Sequence, residues 1–324
     1  MKTMGFLISH KNNEKRRALL PGQLRNIEHI GQLYFEEHYG ESLGIADEEY
    51  RKAGANIVSR EQALNCDILV DVKLGDADYL HQVASGKTFV GWAHAVQNTA
   101  FTTHMMEGRH TVIAWEDIFE DGRYIFYRNR EVGGEAAIMH GFRYSGMMPY
   151  DAKVAVIGKG QVAKGACRIL NGLGADVTIY GRKQEKLFRK EMADFDVIVN
   201  CVFWDTNRTD RLIYREDLKR MRPGTLIIDV SCDPEMEIET SVPTTIDNPV
   251  YEVDGIIHYA VDNTPAMFPK TVTRCISEAY CKYVDAILQE AYPDSIENAV
   301  VIREGRILDR RIIDFREARN LPCR

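Results

Sequence analysis

Three polar side chains in the first third of the chain stand where predicted strands end. Arg16 follows the first apolar segment, Lys73 ends the run DILVDVKLG, and His94 ends the run FVGWAH. Ligands of α/β sheets bind beyond the carboxyl ends of the strands, so we expect the three side chains to converge. A guanidinium can bind a substrate carboxylate, and an imidazole with an ordinary pKa near 6.5 can exchange protons at neutral pH. Each residue alone also fits a structural role, but the three together predict a catalytic site.

The middle of the chain carries a dinucleotide-binding motif. The segment VAVIGKGQVAKGA contains a G-x-G-x-x-A between an apolar strand and a helical pattern. The first glycine allows a tight turn, the second lets the backbone approach a pyrophosphate, and the alanine lets the helix and the strand pack closely. A glycine-rich structural turn is the alternative, but the context favours cofactor binding. The predicted cofactor-binding residues are Gly158, Gly160, Gln161, Val162 and Ala163.

The next predicted strand ends in VTIYGRK, where many NAD sites carry an Asp or Glu that binds the ribose hydroxyls. Gly181, Arg182 and Lys183 stand there instead. A guanidinium can meet a 2′-phosphate with two parallel hydrogen bonds, and the missing acid removes a repulsion. We therefore predict NADP as the cofactor, with Arg182 and Lys183 at its phosphate; two solvated surface residues are the alternative. We also expect Cys201, which follows the strand DVIVN, to contact the cofactor.

Apolar strands alternate with helical patterns, which predicts parallel α/β architecture. The predicted fold class is α/β, with two Rossmann-like domains, parallel sheets and an active-site cleft between the domains. We assign residues 1–135 and 268–324 to a substrate and catalytic domain, and residues 136–267 to an NADP-binding domain. The strands of the second domain are apolar throughout, so we expect both faces of each to be buried. Helices are predicted from Pro21, over 133–147 and over 269–292, with a hairpin around Glu304-Gly305.

The bulk composition excludes several classes of protein. The 324 residues include 41 Lys and Arg and 48 Asp and Glu, and the net charge of −7 argues against a nucleic-acid or anionic-membrane binder. No apolar run approaches the roughly 20 residues that span a bilayer, and the N-terminus resembles a strand more than a signal peptide. The seven cysteines show no zinc-ligand spacing. We therefore expect a cytoplasmic protein without a metal site.

The segments around Arg16, Lys73 and His94 resemble the superfamily of alanine dehydrogenases, transhydrogenases and saccharopine dehydrogenases, and the resemblance extends along nearly the whole chain. An Arg followed five residues later by Pro matches Arg16 and Pro21. The superfamily's substrate lysine matches Lys73, and its catalytic histidine matches His94. The resemblance therefore implies a dehydrogenase that acts on an amino acid and a keto acid.

Two later segments indicate a position within that superfamily. They look more like saccharopine dehydrogenases than alanine dehydrogenases, and they read LIIDVSCDPEMEIETS and YAVDNTPAMFPKTVTR. Alanine dehydrogenases have Asp-Gln-Gly-Gly after the strand, where this chain has Cys232-Asp233-Pro234. Asp229, which ends the strand LIID, resembles the aspartate that alanine dehydrogenases place near the nicotinamide. The resemblance thus implies a catalytic role for Asp229, with Asp233 as the weaker candidate for the same role.

The resemblance is greatest to opine-type synthases, which implies NADPH-dependent reductive condensation of pyruvate with the side-chain amine of L-ornithine, or of L-lysine less well. Arg16 would bind the keto-acid carboxylate, and His94 would exchange protons. Lys73 would either polarise the keto oxygen or act as a second acid or base. Saccharopine dehydrogenases hold a long amino acid with the stretch that corresponds to WEDIFEDGRYIF, where a charged surface hairpin is the alternative. The implied substrate-binding residues are Glu116, Asp117 and Arg123.

Three other readings stay open at this stage. A saccharopine-type enzyme would use 2-oxoglutarate and lysine, and an alanine dehydrogenase would use ammonia. A protein of a different class would sense the cofactor without catalysis. The resemblance also implies a homo-oligomer, with a tetramer preferred.

Overall fold

The computed structural model describes residues 1–205, 208–234 and 236–323. Contacts between Cα atoms divide the chain into two units, and each is described by itself. Unit 1 comprises Met1–Phe126 and the segment from Pro269 onward, and unit 2 comprises Tyr127–Phe268. Helix Tyr127–Gly141 includes the predicted domain boundary at residue 135, and contacts assign the whole helix to unit 2.

The strands among the described residues follow one another along both units. In chain order they are β1 (Met4–Phe6), β2 (Leu33–Glu36), β3 (Asn56–Val58), β4 (Ile68–Val70), β5 (Thr88–Gly91), β6 (Thr111–Ala114), β7 (Phe119–Glu120), β8 (Arg123–Tyr124), β9 (Lys153–Ile157), β10 (Asp176–Tyr180), β11 (Val197–Asn200), β12 (Leu226–Asp229), β13 (Val250–Val253), β14 (Ile256–Tyr259), β15 (Val300–Arg303) and β16 (Arg306–Ile307).

The α-helices alternate with these strands. In chain order they are α1 (Pro21–Leu24), α2 (Asp47–Lys52), α3 (Arg60–Leu64), α4 (Thr99–Glu107), α5 (Tyr127–Gly141), α6 (Gln161–Gly172), α7 (Glu185–Glu191), α8 (Pro269–Tyr280), α9 (Val284–Leu288), α10 (Asp294–Glu297) and α11 (Arg310–Glu317). None of the helices in the described part of the chain is long and apolar enough to cross a membrane.

Unit 1 is built on an eight-stranded sheet with the order β16-β15-β6-β5-β4-β1-β2-β3. Strands β1 to β6 are parallel, and the β15–β16 hairpin adds antiparallel strands beside β6. The apolar strands β4 and β5 are fully buried in the middle of the sheet. The predicted hairpin around Glu304-Gly305 is confirmed. The carboxyl ends of β1, β4 and β5 point the same way, as a ligand site at one sheet edge requires.

Unit 2 is built on a six-stranded sheet with the order β10-β9-β11-β12-β14-β13. All neighbouring pairs are parallel except β13 with β14. The prediction of α/β units with parallel sheets is therefore confirmed. Burial of every strand on both faces was wrong for β10, whose residues Asp176, Thr178 and Ile179 are exposed. Strand β10 lies at the sheet edge, where one side lacks a neighbouring strand, and this edge carries the predicted phosphate-binding residues.

The three predicted helices all differ from the observed ones in their bounds. The helix predicted over 269–292 is α8 and α9, joined by a 3₁₀ turn at Cys281–Tyr283, and it ends at Leu288. A spacing of four residues predicts one apolar face for this helix, and its five members are all buried: Val272, Ile276, Tyr280, Val284 and Leu288. The helix predicted from Pro21 is one short turn, Pro21–Leu24.

The helix predicted over 133–147 runs from Tyr127 to Gly141, so it starts and ends earlier, and Gly133-Gly134 lies inside it. A Cβ on Gly134 would lie 2.0 Å from the Val162 carbonyl oxygen of α6, and a Cβ on Gly165 would lie 1.9 Å from the Glu131 carbonyl oxygen of α5. The glycines therefore allow the two backbones to pack closely. Ion pairs reinforce this contact, with Lys164 Nζ 2.9 Å from the buried Glu131 carboxylate. This packing fixes the helix that follows the dinucleotide motif.

Candidate dinucleotide and catalytic sites

The G-x-G-x-x-A segment forms the turn between β9 and α6. Gly158 has a φ of +114°, and a Cβ there would lie 2.8 Å from the Cys201 carbonyl oxygen. Gly160 is extended, and nothing lies within 4 Å of the position that its Cβ would take. Helix α6 then starts at Gln161 without a side-chain cap, so its first N–H groups can face an anion. Ala163 is buried against the sheet, as the motif requires.

Cys201 lies directly under this turn. Its N–H donates to the Ile157 carbonyl oxygen at 2.8 Å, and its side chain is buried in the core of unit 2. Burial raises the pKa of the thiol well above its ordinary value, so the sulfur stays neutral. The Cys201 backbone thus supports Gly158, and contact of Cys201 with a cofactor stays a prediction.

A cluster of three lysine and arginine side chains lies beyond β9 and β10. Arg182 and Lys183 begin a 3₁₀ turn after β10 and are exposed. Lys159 is also exposed, and its Nζ lies 3.3 Å from the position that a Cβ of Gly181 would take. Within residues 1–205, 208–234 and 236–323, none of the three makes an ion pair with a carboxylate. We call Lys159, Arg182 and Lys183 the basic cluster.

Lys159 did not stand out in the sequence, because it is only the variable residue of the glycine motif. The sheet register explains its place: Ile157 pairs with Tyr180 across the parallel strands β9 and β10. The residue two positions beyond Ile157 therefore faces the segment directly beyond Tyr180. The combination of a lysine inside G-x-G with a basic pair after the next strand is a signal that could have identified it.

Asp229 lies at the carboxyl end of β12 within a buried hydrogen-bond network. Its Oδ1 accepts from Asn200 Nδ2 at 2.9 Å and from the N–H groups of Ser231 and Cys232 at 3.2 Å, and its Oδ2 accepts from the Ser241 hydroxyl. Asn200 Nδ2 also donates to Glu237 Oε1 at 2.8 Å. Burial raises the pKa of Asp229, and burial with the nearby Asp229 charge raises that of Glu237 to about 8. Two such carboxyls hold at least one proton at neutral pH.

Asp233 lies beyond this network and is half-buried. Its side chain accepts no hydrogen bond from any residue that the structure describes. Burial, with the Asp229 charge as a second cause, raises the pKa of Asp233 to about 6. Of the two aspartates, Asp233 therefore has the more accessible carboxyl and a pKa near neutral.

In unit 1, the loops that carry Lys73 and His94 pack directly against each other. The Gly75 N–H donates to the Trp92 carbonyl oxygen at 2.9 Å, and Asn98 Nδ2 donates to the Gly75 carbonyl oxygen at 2.7 Å. A Cβ on Gly75 would lie 2.3 Å from the Ala93 carbonyl oxygen, so only glycine fits this approach. The Lys73 side chain is buried, with Nζ 3.4 Å from Asp76 Oδ2. The two loops therefore lie side by side, and convergence of the three side chains stays a prediction.

Arg16 belongs to the same end of the unit 1 sheet. The guanidinium lies over the Trp92 ring, 4.9 Å from its centroid, and is buried. Its Nε donates to Glu14 Oε1 at 2.9 Å, and its Nη2 lies 2.5 Å from Glu14 Oε2. Glu14, which the sequence analysis did not single out, thus fixes the guanidinium orientation. The E-x-R spacing, with no apolar residue between, was the available signal.

Glu116 and Asp117 have different partners, although they are neighbours in the chain. Glu116 accepts the backbone N–H of His94 at 2.6 Å and that of Ala93 at 3.2 Å. Asp117 pairs with Arg311 of α11 at 2.7 Å, a partner that the sequence did not indicate. Arg123 is exposed on the short hairpin β7–β8. Substrate binding by these residues stays a prediction, and Glu116 has a structural contact that the sequence did not predict.

Comparison with known proteins gives matches over both units. Residues 9–125 match the N-terminal domain, and residues 180–311 the C-terminal domain, of the family described as alanine dehydrogenase/PNT. Residues 120–235 match the NAD-binding domain of the D-isomer specific 2-hydroxyacid dehydrogenases. The turn at Gly158 thus belongs to a segment with known nucleotide-binding relatives.

Proteins that match over nearly the whole chain agree with these domain matches. The chain is 32% identical to an N(5)-(carboxyethyl)ornithine synthase of Clostridium botulinum over 311 residues, which cover 90% of this chain and 97% of that protein. It is 28% identical to an N(5)-(carboxyethyl)ornithine synthase of Lactococcus lactis subsp. lactis, with 85% of this chain and 92% of that protein covered. A solved L-alanine dehydrogenase that is 22% identical has the same fold, with a TM-score of 0.82 over 98% of this chain and 99% of that chain.

The glycine turn after β9, the parallel sheets and the matched domains define an oxidoreductase that uses a pyridine nucleotide. These matches confirm the predicted use of a nicotinamide cofactor, but they do not distinguish NADP from NAD. The chain belongs to the alanine dehydrogenase/PNT family, as the predicted resemblance implied.

Proposed function

We propose that this protein catalyses the reductive condensation of pyruvate with the side-chain amine of L-ornithine, with L-lysine as a poorer substrate. Pyruvate, L-ornithine, NADPH and a proton give N5-(L-1-carboxyethyl)-L-ornithine, NADP⁺ and water. The similarity to N(5)-(carboxyethyl)ornithine synthase over 90% of the chain carries the choice of substrates. The departure of Cys232-Asp233-Pro234 from the alanine dehydrogenase pattern supports the same choice.

The basic cluster supports NADPH as the reductant. Lys159, Arg182 and Lys183 are exposed cations beyond β9 and β10, where the adenosine ribose of a bound dinucleotide lies in such folds. A 2′-phosphate would meet two ammonium groups and a guanidinium there, whereas the 2′-hydroxyl of NAD would find no carboxylate among these residues. Bound cofactor supplies the hydride, and this chain's residues hold its phosphates at Gly158, Gly160 and the start of α6.

The residues of unit 1 can prepare the carbonyl and the amine. Arg16, oriented by Glu14, would bind the pyruvate carboxylate. The exposed His94 imidazole would exchange protons as the carbinolamine forms and loses water. Lys73 would either polarise the keto oxygen or act as a second acid or base, and both roles stay part of the proposal. Asp117 and Arg123 would hold the ammonium and carboxylate of the amino acid.

The roles that we propose for the two aspartates of unit 2 differ from the roles predicted from the sequence. Asp229 already accepts four hydrogen bonds, so we assign it to holding the β12 end together. Asp233, with a raised pKa of about 6, is the better candidate for exchanging a proton during reduction. We further expect a cytoplasmic homo-oligomer, with a tetramer preferred, which light scattering can test.

The deciding experiment follows NADPH oxidation by the purified protein with pyruvate plus L-ornithine and identifies the product by mass. Turnover with 2-oxoglutarate and lysine would instead indicate a saccharopine-type enzyme. Turnover with pyruvate and ammonia, but not with either diamino acid, would indicate an alanine dehydrogenase. Binding of NADPH without turnover of any pair would favour a cofactor-sensing protein.

A further inference from the structure

His94 is an exposed residue between buried neighbours in the chain. After β5 ends at Gly91, Ala93 and Ala95 are almost fully buried, whereas His94 is exposed. His94 has a φ of +48°, a left-handed conformation that costs energy in any residue with a Cβ. This backbone conformation directs the side chain away from the packed loop. Some interaction must stabilise it against relaxation to a negative φ.

Glu116 supplies that interaction across the sheet. Strands β5 and β6 are parallel neighbours with Gly91 opposite Ala114, so the residues two or three positions beyond each strand face each other. The 3₁₀ turn Trp115–Asp117 therefore brings Glu116 against the His94 loop. Its Oε1 accepts the His94 N–H at 2.6 Å, and its Oε2 accepts the Ala93 N–H at 3.2 Å. One carboxylate thus binds two successive N–H groups at the residue with the left-handed φ.

We propose that Glu116 is a positioning residue, which holds the left-handed backbone at His94 and so aims the imidazole, and is not a ligand of the amino substrate. This inference rests on the catalytic role proposed for His94. A carboxylate is suited to this place because it has acceptors on both oxygens, whereas an amide or a protonated carboxyl would turn a donor toward an N–H group. Both oxygens are engaged before any substrate arrives.

The test replaces Glu116 with glutamine, which keeps the size and removes one acceptor. Hydrogen exchange of the amides in segment 92–98 should become at least about tenfold faster, because one loop hydrogen bond is lost. With pyruvate and ornithine, kcat should fall about 10- to 100-fold while the KM for ornithine changes less than about twofold. Glu107→Gln is the matched control, since Glu107 is exposed at the end of α4 and outside the site. It should leave both readouts unchanged.

Two outcomes would overturn the proposal: unchanged amide exchange in segment 92–98, or a raised KM for ornithine with kcat preserved, which would make Glu116 a substrate ligand. If Glu116→Gln does not fold, Glu116→Asp keeps the charge on a shorter side chain and should accelerate exchange in the same segment; protection equal to wild type would again reject the idea. The exchange measurement needs no turnover. A wild-type protein inactive on pyruvate and ornithine would therefore reject the proposed function, while exchange still decides the role of Glu116.

Discussion

Replacing Arg182 with alanine should weaken the use of NADPH and leave that of NADH nearly unchanged. Arg182 is exposed at the start of the turn after β10, together with Lys183 and beside Lys159. If a 2′-phosphate binds to this basic cluster, only the phosphorylated cofactor loses a contact in the variant. The KM for NADPH should therefore rise, and that for NADH should stay within about twofold.

The structure sets the size of the expected effect. A hydrogen bond to a charged group contributes about 1.5–3 kcal/mol. Arg182 is open to water and to salt, so the lower limit applies, and about 1.5 kcal/mol corresponds to a roughly tenfold rise in KM. Lys159→Ala removes an exposed ammonium, for which about 1 kcal/mol, or a roughly fivefold rise in KM, is expected. Both cations would bind one phosphate, so their effects on NADPH binding should not be additive. The free-energy loss of the double variant should therefore differ from the sum of the two single losses.

Initial rates with each cofactor, measured for wild type and both variants, check this reasoning. Lys186→Ala is the matched control, because Lys186 is an exposed cation on α7, beyond the basic cluster. It removes the same charge from the same unit and should not change the ratio of the two KM values. An Arg182→Ala variant that loses NADH and NADPH equally would refute the 2′-phosphate role, and so would a control that behaves like Arg182→Ala.

Two further predictions concern stability. Gly134→Ala places a methyl group 2.0 Å from the Val162 carbonyl oxygen, so α5 and α6 must separate, and unfolding by denaturant should show a loss of about 1–3 kcal/mol. Gly172→Ala, where nothing lies within 4 Å, should not destabilise, and equal losses in both variants would refute the steric explanation. Burial and the nearby Asp229 charge raise the pKa of Glu237 from its ordinary value of 4.5 to about 8 in the folded chain. Between pH 4.5 and about pH 8, the folded state therefore holds a proton that the unfolded state has lost. Stability should therefore fall as pH rises through this window, and Glu237→Gln should flatten the fall; an unchanged pH profile would contradict the raised pKa.

The sequence predicted the strands well because buried parallel strands are short apolar runs that stand out against polar surroundings. Strand β10 was the exception in burial, although its apolar residues predicted its existence. Sequence shows that Val177 and Ile179 favour a strand, but strand order alone decides that β10 lies at the edge of the sheet. Strand order is a property of the whole sheet, so the exposure of β10 residues could not be predicted from the local sequence.

The same limit applies to the glycines of α5. Gly133-Gly134 suggested a helix start, because glycine disfavours a helix interior. The structure places the pair inside the helix, where Gly134 contacts Val162, a residue 28 positions later in the chain. The helix-packing benefit of a missing Cβ depends on a partner that local sequence does not reveal. Lys159 was not predicted, and neither was the contact of Glu116 with the His94 loop, for the same reason, since strand register gives each its neighbour.

The hydrogen bonds of Asp229 are the basis for proposing Asp233 as the residue that exchanges a proton. The donors to Asp229 come from three separate segments, namely Asn200 at the end of β11, the turn at Ser231 and Cys232, and Ser241. A carboxylate with both oxygens bound in this way is costly to reorganise during proton transfer. Asp233 follows Cys232, which has a left-handed φ of +59°, and burial raises the pKa of Asp233 to about 6. The buried network therefore fixes the end of the sheet, and the chain beyond it can present a carboxyl that is able to exchange a proton.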